Sequence, residues 1–111
     1  MQILNSVSAT PTSTNTNTLV AGSILNATNA LSISFTVKNT GDTNSISYEV
    51  IGGNAPDLSD GVVVQASANL AAGVVGSYGI QVAPFAYYGI KVVSTSAGNH
   101  TTGSILGKAK G

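Results

Sequence analysis

The sequence predicts an all-β chain, an antiparallel immunoglobulin-like β-sandwich with an extended N-terminal arm. Three observations lead there. Apolar residues recur with period two in segment after segment, and no window longer than about ten residues carries the i, i+3, i+4, i+7 spacing of an amphipathic helix. Clusters of Gly, Asn, Asp, Ser and Pro interrupt the alternation at intervals of roughly 8–12 residues, which is the spacing of a sandwich or barrel.

Taken in order, Ile3 to Ala9 reads as a first short strand, and Thr10 to Thr18 has no apolar residue except Pro11, so it reads as a polar arm. The expected division is therefore residues 1–18 as strand and arm and residues 19–111 as the sandwich. Alone, the arm is expected to move; on a neighbour's surface it could order and lengthen a contact. Leu19 to Leu25 is a second short strand. Leu31-Ser32-Ile33-Ser34-Phe35-Thr36-Val37 alternates apolar and hydroxyl residues without a break, placing one face in a core and the other in water. Asn39 to Asn44 supplies hairpin chemistry, and Ile46, Tyr48 and Val50 resume the inward face until Gly52 to Asp57 ends it.

Val62, Val64, Ala66 and Ala68 mark a further inward face, and Tyr78, Ile80 and Val82 another, with Pro84 breaking the strand. Tyr88, Ile90 and Val92 continue the core from the run that starts at Ala86. Gly89 inside that run signals a bulge or a close neighbour. Thr101 to Leu106 is the last strand, leaving Lys108 and Lys110 on a solvated tail that could meet an acidic neighbour.

Composition narrows the function. The 111 residues suffice for one domain and one core. Only 7% are charged, against roughly 25% in an average globular protein. The polar load falls instead on 14 Ser, 12 Thr and 10 Asn, neutral groups that hydrogen-bond without a field. A net charge of zero and the absence of arginine argue against nucleic-acid binding, which depends on clustered cations releasing counterions. No apolar run approaches the roughly 20 residues of a membrane span, and the first residues lack the pattern of a secretory signal. With no cysteine there is neither a disulfide framework nor thiolate chemistry. Synthesis in a cytoplasm is expected.

The residues that carry chemistry are few, and an enzyme is not expected. His100 is the single histidine and lies in a polar turn, and no Gly-x-Ser-x-Gly elbow is present. Asp57 and Asp60 are the one close acidic pair; their chemistry suits capping of local N–H groups better than a calcium loop, which needs 6–8 oxygen ligands. No cofactor or metal is expected. The densest aromatic cluster is Phe85, Tyr87 and Tyr88, in which alternation turns Tyr88 inward and Tyr87 outward as a candidate contact residue.

Three stretches carry a resemblance. Tyr48-Glu49-Val50-Ile51-Gly52-Gly53-Asn54, Leu70-Ala71-Ala72-Gly73 and Phe85-Ala86-Tyr87-Tyr88-Gly89-Ile90-Lys91-Val92 resemble small β-sandwich virion proteins of tailed bacteriophages, over roughly residues 31–106. Where many of those proteins carry an arginine in the last strand, Gly89 and Lys91 stand here. The resemblance implies a structural role on a virus particle, assembled in the host cytoplasm, and above all a capsid decoration protein on the outer surface of the head. Its partners would be the major capsid protein or other virion proteins, with self-association and with neither nucleic acid nor membrane. Candidate contact residues are Ile3, Leu4, Pro11, Phe85, Tyr87, Lys108 and Lys110. A carbohydrate-binding or adhesion module and a subunit of a β-rich extracellular filament are the alternatives.

Overall fold

Alternation does most of the building. In the computed structural model, which describes residues 2–111, Ile33, Phe35 and Val37 of one strand are buried while Ser34, Thr36 and Lys38 between them face water. Nine strands form this way: β1 (Ile3–Ala9), β2 (Thr18–Leu19), β3 (Leu25–Asn26), β4 (Ser32–Asn39), β5 (Ile46–Gly53), β6 (Val62–Leu70), β7 (Val75–Ile80), β8 (Tyr87–Ser94) and β9 (Gly103–Lys110). They make two antiparallel sheets, ordered β1-β9-β4-β7 and β2-β8-β5-β6, with β3 also on β8. The faces pack around Leu25, Phe35, Ile46, Val50, Tyr88, Ile90 and Ile105, all at 0–1% exposure.

The sandwich expected from the sequence is present, but its strand order is that of a jelly roll and not of an immunoglobulin domain. β2 and β3 act as one strand interrupted by a 3-10 turn at Ala21–Ser23. Counted so, eight strands pair first with last and inward from both ends: β1 with β9, β2/β3 with β8, β4 with β7, β5 with β6. An immunoglobulin sheet instead places several consecutive strands side by side, and here β5 and β6 are the one consecutive pair among the described residues. Alternation tells which way a side chain points; it is silent on which strand lies alongside.

Other expectations shift in detail. The polar tract after β1 is extended, and it lies along the chain's own domain: Thr12 bridges Thr102, Ser13 N donates to the Thr101 carbonyl at 2.8 Å, and the Ser13 side chain is buried. Two register shifts in β6 turn Val62 and Ala66 out to solvent, leaving Val64 and Ala68 against the core. β7 ends at Ile80, so Val82 stands 75% exposed, and Leu31 precedes β4 and is 61% exposed. β9 runs on to Lys110 and so absorbs the expected tail. A Cβ at Gly107 would lie 2.6 Å from Phe35 Cε1, so the small residues that blur the sequence pattern are what admit the ring. Gly89 is a close approach, as expected, because a Cβ there would stand 2.7 Å from Leu58 Cδ1 of the β5–β6 loop.

Candidate docking face

β9 lies between β1 and β4, and its residues alternate between Ile105, Gly107 and Ala109 inside and Ser104, Leu106, Lys108 and Lys110 outside. Register fixes what flanks each. Leu106 sits between Ser8 and Thr36, Lys108 between Ser6 and Ser34, and Lys110 between Ile3 and Ser32. Lys38 is opposite Ser104 and, across the next ladder, Val75. This outer face thus carries Lys38, Lys108 and Lys110, three of the four lysines, among hydroxyls, with the half-exposed Leu106 near its centre and the half-exposed Ile3 at one margin.

None of the four acids is on this face. Glu49 is on β5 of the other sheet, opposite Lys91 and accepting from Asn17 Nδ2 at 2.9 Å. Asp57 and Asp60 lie in the β5–β6 loop and Asp42 in the β4–β5 loop. A chain whose side chains sum to zero net charge therefore presents one sheet surface whose charged side chains are all cationic.

Four of the seven candidate contact residues meet here or at its margin: Ile3, Lys108 and Lys110 on the face, and Leu4 beside it at a register shift, with its Cδ1 close to Gly111. The Gln2 and Gly111 backbones close the β1–β9 ladder with N–H to carbonyl bonds of 2.8 and 2.9 Å, which holds that margin in place. The other three lie apart. Pro11 lines a groove of about 230 Å³ with Thr12, Thr14, Thr18, Leu19, Val20 and Val92. Phe85 is half-buried, edge-on to Tyr88 at 6.0 Å, and packs against Gly52. Tyr87 is half-buried on the other sheet, opposite Gly53 and Asn26. Leu106 and Lys38 were missed by the sequence reading; the alternation Leu106, Lys108, Lys110 was the signal that could have found the face.

One hydrogen-bonded set has the outline of a nucleophile and its base. Ser94 Oγ lies 2.7 Å from His100 Nδ1 and 2.8 Å from Ser13 Oγ. Yet Ser94 and Ser13 are buried, and Ser13 Oγ also accepts the Thr101 N–H at 2.9 Å. The groove beside Pro11 does not include either serine. The set ties the tract after β1 to β8 and to the β8–β9 loop. In the β5–β6 loop, Asp57 accepts the Ser59 N–H at 3.0 Å, and Asp60 accepts the Asn54 and Ala55 N–H groups at 2.9 and 3.0 Å. Those backbone donors hold both carboxyls below the ordinary carboxylate value.

No family model matches the chain, and the search of curated proteins finds no match. Solved structures do match in fold. A protein of Bacillus endospore appendages, described as a family of disulfide-linked pili, aligns at 13% identity over 99% of this chain and 90% of its own, with a TM-score of 0.53. The globular domain of zebrafish complement 1qA protein aligns at 9% identity over 95% of this chain and 93% of its own, TM-score 0.56. The PBSX exported protein XepA aligns at 12% identity and TM-score 0.50 over 98% of this chain, which spans 39% of XepA. At these identities the likeness establishes the sandwich fold, and that fold serves unrelated tasks.

Proposed function

We propose that this chain is a structural subunit of a virus particle, a decoration protein that lays the outer face of the β1-β9-β4-β7 sheet on the outer surface of a phage head. The observation that carries the reading is the segregation of charge: three lysines and no acid on one hydroxyl-coated sheet face of a neutral chain. Docking there would bury Leu106 and Ile3 and engage the serine and threonine hydroxyls of β1, β4 and β9. The lysines orient the subunit towards an acidic or carbonyl-rich lattice. Since most of the contact is neutral, attachment weakens with salt but persists.

Supporting the reading are the jelly-roll order, which many capsid domains share, and the likeness to XepA in fold. The resemblance of residues 31–106 to phage virion proteins points the same way. A second reading is a subunit of an extracellular filament, favoured by the likeness to the pilus-forming appendage protein. With no cysteine, such a filament could not be disulfide-linked as those pili are.

Co-sedimentation tests the reading. Purified chain mixed with undecorated heads should pellet with them at low salt and remain largely bound at high salt. Recovery in the supernatant under both conditions would overturn the decoration role.

A further inference from the structure

A sandwich of this order has four sheet edges, and each exposes backbone N–H and C=O groups that can template a foreign strand. Three are protected. β1 carries a register shift between Ile3 and Asn5, and Asn5 Nδ2 reaches across the sandwich to the Asn26 carbonyl at 3.0 Å. The opposite edge is broken into two-residue pieces, β2 and β3, on either side of the 3-10 turn. β6 carries two register shifts along its length.

The fourth edge, β7, has none of these devices. Its six residues pair with β4 without a register shift, from Ile33 opposite Ile80 to Lys38 opposite Val75. Val-Gly-Ser-Tyr-Gly-Ile contains neither charge nor proline, and it lies in a stretch from Gly61 to Ile90 without one ionisable Asp, Glu, Lys, Arg or His. Val75 and the preceding Val74 are each about half exposed.

We infer that β7 is a pairing edge for β7 of a second copy, running antiparallel about a twofold axis near Ser77. The sequence suits that register. Residues directly opposite in an antiparallel pair share a face, so a twofold at Ser77 sets Val75 against the partner copy's position 79, a glycine, and Tyr78 against position 76, also a glycine. The two large side chains flanking the axis, Val75 and Tyr78, thus each meet a glycine, one on each face of the new ladder; Ile80 falls opposite position 74, a valine, and Ser77 meets its own hydroxyl. The contact is isologous and closes at two copies. It joins the two lysine-bearing sheets into one eight-stranded sheet whose faces point the same way. The pairing supplies the self-association in the decoration reading but stands on β7 alone and needs no capsid.

Sedimentation velocity of the isolated chain across a concentration series tests it. The wild type should pass from monomer to dimer. Ser77→Lys puts a like charge directly across the twofold and should raise the dimer dissociation constant about tenfold or more. Thr36→Lys adds the same charge to the same face one strand inward, opposite Ser77, and should leave dimerisation unchanged. Circular dichroism of both variants should match the wild type, since both positions are exposed. A wild type that stays monomeric at millimolar concentration, or a Ser77→Lys dimer as tight as the wild type, would overturn the pairing. Head binding by a monomeric Ser77→Lys variant would leave the docking reading standing, so the two can fail separately.

Discussion

Asn39 Nδ2 donates to the Leu70 carbonyl at 2.9 Å, tying the end of β4 to the end of β6 across the sandwich. The same amide donates to the Asn44 carbonyl at 2.8 Å, and its Oδ1 accepts from Gly41 N and Thr101 Oγ1, each at 3.0 Å. One fully buried side chain thus uses both its donors and its acceptor to gather three loops at one end of the fold. Asn39→Ala strands four partners at once and should lower stability by about 3 kcal/mol. Urea unfolding should report it as a lower midpoint with the slope unchanged.

Gly107 and Phe35 give a second test. The ring occupies the space a Cβ would need, and Val7 Cγ2 stands 2.9 Å from the same point. Gly107→Ala should cost about 1–3 kcal/mol through displacement of a packed aromatic, and Gly107→Val more, as lower thermal midpoints.

The β5–β6 loop gives a pH dependence. Asp60 is held below the ordinary carboxylate value by the Asn54 and Ala55 N–H groups, and Asp57 by that of Ser59. A carboxyl whose folded value is depressed stabilises the fold above its unfolded value, near 3.8, and loses that contribution as pH falls through the lower folded value. The melting temperature should therefore decline below about pH 4. Asp60→Asn should flatten that decline; an acid limb identical to the wild type would exclude this role for Asp60.

The proposed docking face gives a paired prediction. Lys108→Glu and Leu106→Asp should each reduce retention on heads about tenfold, the effect of roughly 1.4 kcal/mol at a contact. Tyr87→Ala, on the other sheet, should change retention little. Quantified pelleting across a protein titration separates these outcomes.

Much of the fold was legible because β4, β5 and β8 alternate cleanly: Ile33, Phe35 and Val37, then Ile46, Tyr48 and Val50, then Tyr88, Ile90 and Val92 all point inward. The end of β9 was not, since Gly107 and Ala109 face the core with so little side chain that hydrophobicity gives no pattern there. That miss hid the proposed docking face, whose lysines read as a tail. β6 misled through its register shifts, which no alternation count anticipates. Asn39 and Ser13 were hidden because a buried, fully bonded polar residue has the composition of a turn. The jelly-roll order rests on contacts far apart in sequence, β1 with β9 and β4 with β7, and local chemistry carries no record of them.

Electron cryo-microscopy of purified phage heads that carry the chain decides whether it docks as proposed. This jelly roll should stand at regular positions on the outside of an icosahedral head, with Lys38, Leu106, Lys108 and Lys110 turned towards the capsid lattice. A helical filament built from the chain, or copies whose lysine-bearing sheet faces solvent, would contradict the docking.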